Sequence, residues 1–286
     1  MTSDRTWSVL FLTILASCFT VEAEIRGVVA TSGASFELGL PAKGSIASIF
    51  CAGIEVDGIV AADSLPLPRT LAGVRVWVGG APAPLFAVAA LQGFQQINIQ
   101  VPHEAEFGAE AAEVVVEQNG QSGTATVPLR LSTPGDFFRF AGSNLGIFQH
   151  ASDYSVVTPE NPARPSEAII AYLTGMPGTE PTVPTGEPAP FDPLAVVPQY
   201  RYANAYEHYE VFIGTSSLGV EPSFVGFTPG LVGVYQLNFV VPSDRPSAMA
   251  QLVLVRISCG GFFGSCPGNP LFTRTYKSTP VTIPIK

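Results

Sequence analysis

Gly93-Phe94-Gln95-Gln96-Ile97-Asn98-Ile99-Gln100-Val101-Pro102 returns later in the chain as Gly233-Val234-Tyr235-Gln236-Leu237-Asn238-Phe239-Val240-Val241-Pro242. Glycine opens both stretches, Val-Pro closes both, and Gln-apolar-Asn-apolar stands at the centre of each. Successive side chains of an extended strand point to opposite faces, so Ile97 and Ile99 point one way and Gln96, Asn98 and Gln100 the other. One face is therefore suited to packing, and the amides of the other to loop backbone, water or a ligand. Proline has no N–H to give a ladder, so Pro102 and Pro242 mark the strand ends.

Two further blocks flank this one in the same order. Gly44-Ser45-Ile46-Ala47-Ser48-Ile49-Phe50 has a counterpart in Pro165-Ser166-Glu167-Ala168-Ile169-Ile170-Ala171-Tyr172, and Val76-Trp77-Val78-Gly79 has one in Val211-Phe212-Ile213-Gly214. Three ordered matches imply duplication of a unit of domain size, with the junction near Thr133-Pro134-Gly135. Period-two runs recur elsewhere, as in Glu113-Val114-Val115-Val116-Glu117 and Gln251-Leu252-Val253-Leu254-Val255, and no stretch sustains a helical period. Gly79-Gly80, Asn119-Gly120 and Pro229-Gly230 supply the turns between them. The expected fold is all-β, with one sandwich over residues 24–133 and a second over 134–286.

Composition agrees with that reading. Of 286 residues, 47% are hydrophobic and only 13% charged, which excludes disorder, while 28 Gly and 26 Pro suit short strands and tight turns. A formal net charge of -9 without any Lys/Arg run excludes nucleic acid as a partner. Trp7 to Phe19 is an apolar run of signal-peptide length, and Val21-Glu22-Ala23 offers small residues where signal peptidase cuts, so residues 1–23 read as an export signal. The competing reading takes Leu15-Ala16-Ser17-Cys18 as a lipobox, with Cys18 lipidated and the protein tethered to a membrane surface. No later segment approaches the roughly 20 apolar residues of a membrane helix, so no transmembrane span is expected.

With these blocks in view, the sequence resembles a family of uncharacterised C-terminal β-domains found in secreted proteins of Solibacter and other acidobacteria. The resemblance runs from about Ser32 to the C-terminus. It is carried by Ser32-Gly33-Ala34-Ser35-Phe36, Leu65-Pro66-Leu67-Pro68, Gln96-Ile97-Asn98, Gly146-Ile147-Phe148, Asn161-Pro162-Ala163-Arg164-Pro165, Tyr172-Leu173-Thr174-Gly175 and Gly233-Val234-Tyr235-Gln236-Leu237-Asn238. Each half is also similar to immunoglobulin-like modules of the IPT/TIG type, which implies two tandem immunoglobulin-like β-sandwiches. The family carries no established activity, so the resemblance implies no catalytic residue. Cys51, Tyr200 to Glu210 and the hairpin from Cys259 to Cys266 depart from its pattern.

Candidate chemistry is sparse. Cys259 and Cys266 flank a short loop between two strand-like runs, and an exported protein meets an oxidising compartment, so a disulfide is expected there, holding Phe262 and Phe263 at an exposed tip. Cys51, between Phe50 and Ala52, reads as a small buried hydrophobe. In a strand, Tyr200, Tyr202, Asn204, Tyr206 and His208 share one face, which could line a half-buried sheet, contact a protein or stack on sugar rings. His103, His150 and His208 belong to no nucleophile motif, and no ligand spacing points to a metal or cofactor. Seven prolines between Met176 and Pro198 favour an extended loop, expected to lie across a sandwich face. The expectation is a non-enzymatic structural or protein-interaction module of the cell exterior, its partner a protein or envelope component. The alternative is a carbohydrate-binding module that uses the Tyr-rich strand 200–209.

Overall fold

The computed structural model describes residues 24–130, 134–201, 205–215, 218–244, 248–260 and 273–286, and every regular element among them is a strand. The first half of the chain runs through β1 (Arg26–Ser32), β2 (Ile46–Ala52), β3 (Ile59–Ala61), β4 (Arg75–Val78) and β5 (Ala81–Pro82). It continues with β6 (Leu85–Leu91), β7 (Phe94–Gln100), β8 (Ala111–Gln118) and β9 (Gln121–Pro128). They form one sheet in the order β1-β2-β7-β6-β3 and a second in the order β5-β4-β8-β9. Ile49, Ile97 and Ile99 from the first sheet meet Val76, Val114 and Val116 from the second in one buried cluster. The quoted strand behaves as its alternation requires, with Ile97 and Ile99 fully buried and the amides on the other face.

The second half contains β10 (Asp136–Phe137), β11 (Phe148–His150), β12 (Ala168–Thr174), β13 (Tyr200–Arg201) and β14 (Ala205–Ile213). It ends with β15 (Phe224–Phe227), β16 (Tyr235–Val240), β17 (Ala248–Gly260), β18 (Thr273–Lys277) and β19 (Val281–Ile285). One sheet runs β10-β12-β16-β15 with β11 also on β12; the other runs β13-β14-β17-β18 with β19 also on β17. Ile169, Leu237 and Phe239 pack against Val211, Leu252 and Ile283 in a cluster separate from the first. The pairing β12-β16-β15 has the same antiparallel order as β2-β7-β6, and β14-β17 the same as β4-β8.

Residues 176–198 form an irregular strap rather than a helix. The strap fills the second core from outside the sheets with Val183, Ala189, Ala195 and Val197. It also covers the free edge of β15: Val197 N–H donates to the Val225 carbonyl and Phe227 N–H to the Ala195 carbonyl. That close approach requires Gly226, because a Cβ there would run into the Ala195 carbonyl oxygen.

A polar seam joins the two halves. Ile46 N–H donates to Thr174 Oγ1 at 2.8 Å, and Gly175 N–H donates to Ser45 Oγ at 3.0 Å. Gln100, from the amide face of β7, donates to the Gly44 carbonyl and accepts from Gly186 N–H of the strap. Arg130 reaches both oxygens of buried Asp136 at 3.1 Å and Glu37 at 2.8 Å. Thr279 donates to the same Glu37 from the far end of the chain.

Candidate functional site: an amide-floored groove

The outward face of β12, β16 and β15 is set by the same alternation that buries Ile169, Leu237 and Val225. Cross-strand register aligns Ile170, Asn238 and Phe224 in one row, and Tyr172, Gln236 and Gly226 in the next. These rows floor a groove of about 560 Å³, a volume within the usual range of small-ligand sites. One wall is the strap, through Phe191 and Leu194, with Thr228 and Pro229 of the β15–β16 turn beside it. The opposite wall is Ala151 and Tyr154, in the turn that follows β11.

Each wall is held in place. Tyr154 N–H donates to the His150 carbonyl, and the His150 ring lies between Glu167 Oε1 at 2.7 Å and the Asn161 carbonyl at 3.2 Å. On the other side Gly230 N–H donates to the Ala189 carbonyl, tying the turn to the strap. The aromatic rings on the rims stand free, with Tyr154 66% and Phe191 76% exposed.

The floor mixes apolar Ile170 and Phe224 with uncharged polar side chains. Gln236 Nε2 donates to Asn238 Oδ1 at 2.9 Å, which orients both amides and leaves Gln236 Oε1 and the Asn238 amino group without a partner among the described residues. Tyr172 donates to Gln149 Oε1 at 2.6 Å, and its phenol is pushed above its ordinary value by burial first and by Tyr154 second. Thr228 is buried, and its Oγ1, sealed from solvent, has no hydrogen-bond partner among the described residues. Among the described residues no carboxylate, amine, guanidinium or imidazole lines the groove.

The corresponding row of the first half carries one more bond. There Gln96 Nε2 donates to Asn98 Oδ1 at 2.8 Å, but Ser48 stands where the second half has Ile170, and its hydroxyl adds a second donor to Asn98 Oδ1. Val29, Phe50, Gln96 and Ala89 make up the next row, and the Phe50 ring packs against Phe36 and Phe94.

The residues singled out in the sequence do not converge on this groove. His208 is buried with Nε2 3.0 Å from Glu210 Oε1, which fits the lining of a half-buried sheet among the three roles open to strand 200–209 and does not fit an exposed contact at this position. Tyr209, on the opposite side of β14, is fully buried in the second core, where burial pushes its phenol well up. Tyr202 lies outside the described residues, as do the side chains of Tyr200 and Tyr206. β17 and β18 form the expected hairpin, with Cys259 opposite Thr273, but Phe262, Phe263 and Cys266 of its loop lie outside the described residues. So do Cys18 and the rest of residues 1–23. Among the described residues no helix is long and apolar enough to cross a membrane, and no cluster of three or more His, Cys, Asp or Glu could hold a metal.

Cys51 is buried, and burial pushes its thiol up to about 11. The thiolate is the reactive form, so Cys51 is expected to resist iodoacetamide at mildly alkaline pH in the folded protein and to label fully in denaturant. Peptide mapping of the alkylated protein checks this; labelling without denaturant would refute it.

Reading the sequence missed Tyr154, Phe191, Thr228 and Phe224 because they come from four separated segments. The available signal was Ile170 in the second half against Ser48 in the first, which removes one bond from the amide row. No family model matches the chain, and no curated protein matches it.

Proposed function

We propose that the chain is a non-catalytic recognition module of the bacterial cell exterior, built from two tandem immunoglobulin-like β-sandwiches, with its binding surface on the β12-β16-β15 face. The observation that carries this reading is the groove. It has exposed rings on its rims and amide groups on its floor, and among the described residues no carboxylate, imidazole, amine or thiol lines it. None of His103, His150 and His208 lines it. The export signal and the resemblance to secreted acidobacterial β-domains support an exterior location.

The test is retention of the purified protein on bacterial envelope fragments and on purified peptidoglycan sacculi, followed by co-sedimentation. Phe191→Ala and Asn238→Asp are expected to weaken retention about ten-fold each, the loss typical of one well-placed contact. Phe94→Ala, on the first half, is expected to leave it unchanged. Equal retention of groove variants and wild type would remove the groove as the recognition surface.

A further inference from the structure

The chemistry of the groove narrows what can occupy it. We propose that it binds a neutral carbohydrate, a chain of uncharged sugar rings; this inference rests on the reading of the groove as the recognition surface.

Three observations carry it. The first is the charge of the lining, where none of the side chains is ionised at neutral pH. An anionic ligand would enter with no cation to meet it, on a protein whose formal net charge is -9, and a cationic one would find no carboxylate.

The second is the pattern of donors and acceptors. A sugar hydroxyl both donates and accepts, and the floor offers both functions side by side. Gln236 Oε1 accepts, the Asn238 amino group donates, and Tyr172 Oη, having spent its hydrogen on Gln149, accepts.

The third is the placement of the rings. Tyr154 and Phe191 rise on opposite rims and Phe224 lies on the floor, so apolar C–H faces of a sugar have aromatic surface to pack on.

A peptide fits less well. Extended peptides bind sheets by adding a strand to a free edge, and here the strap already occupies the edge of β15 through Ala195 and Val197. The backbone groups of the floor are consumed by the β12-β16-β15 ladder, leaving only side chains to recognise a guest.

Affinity electrophoresis of the purified protein tests the proposal with soluble mixed-linkage β-glucan, xyloglucan, galactomannan and dextran as neutral probes. Alginate and polygalacturonate serve as acidic probes, with a proline-rich peptide as a further competitor. At least one neutral polysaccharide is expected to retard the protein, the acidic ones are not, and the peptide is expected not to compete. Asn238→Asp and Phe191→Ala should weaken retardation about ten-fold. Phe94→Ala, on the first half, should leave the retardation unchanged, and the groove variants should keep the wild-type thermal midpoint, which separates loss of the groove contact from a general loss of structure. No retardation by any neutral probe, equal retardation by acidic ones, or displacement by the peptide would overturn the carbohydrate assignment. If envelope retention still fell in the groove variants, the recognition reading would stand without it. If retention did not change, both would fall.

Discussion

Replacing Tyr235 with alanine will lower the unfolding free energy by about 3 to 5 kcal/mol, the range for emptying a fully buried aromatic site. Tyr235 is completely buried, and its ring stacks on Phe227 with centroids 4.2 Å apart. Its hydroxyl donates to the Met176 and Pro177 carbonyls at 3.1 and 3.0 Å, where the chain leaves β12 to begin the strap. Burial pushes the phenol far above its ordinary value, so it stays protonated and able to donate at any pH the fold tolerates. Tyr235→Phe keeps the ring and removes only the donor, which should cost about 1 to 2 kcal/mol. Urea denaturation of the three proteins checks both values. A loss below about 1 kcal/mol for the alanine variant would mean that the strap is not anchored through this residue.

The second large effect is expected at the junction of the two halves. Asp136 is buried, with its side chain 1% exposed, and it faces the Arg130 guanidinium, itself 11% exposed. Asp136→Ala takes away the bidentate partner of Arg130 and leaves the guanidinium with the more exposed Glu37, so it should cost about 2 to 3 kcal/mol. Arg130→Met combined with Asp136→Leu removes both buried charges together and should recover most of that loss, since the one carboxylate that then gives up a partner, Glu37, is 44% exposed and open to water. If the double variant were as unstable as the single one, the charge account of this junction would be wrong. Glu37 adds a pH dependence in a known direction. The Thr279 hydroxyl first, and then Arg130 against the opposing effect of burial, hold its carboxyl below its ordinary value. Its contribution is therefore complete above the unfolded-state value and fades as pH falls through the folded one.

The fold class was legible because alternation is a local property. Ile97 and Ile99 had to share a face with each other and not with Asn98, whatever the rest of the chain did. The strap was harder to read. Val183, Ala189, Ala195 and Val197 enter the core from a segment with neither helical nor strand period, so no pattern announces their burial. Strand 200–209 shows the reverse failure. Its alternation names a face, but whether that face is open depends on what crosses it, and His208 is covered. The groove could not be seen at all from local pattern, since Tyr154, Ile170, Phe191, Phe224 and Asn238 come together only through the register of three strands and the path of two loops.

The prolines of the strap bear on how fast anything could enter and leave that groove. Pro177, Pro181, Pro184, Pro188, Pro190, Pro193 and Pro198 each fix one backbone angle, so the wall that carries Phe191 has little freedom left to surrender when a guest arrives. A guest meets a surface already in shape, and no closing step stands between encounter and the bound state. Association should then be a single concentration-dependent phase in stopped-flow, nearly the same for every ligand that fits. Differences in affinity would reside in how long each one stays.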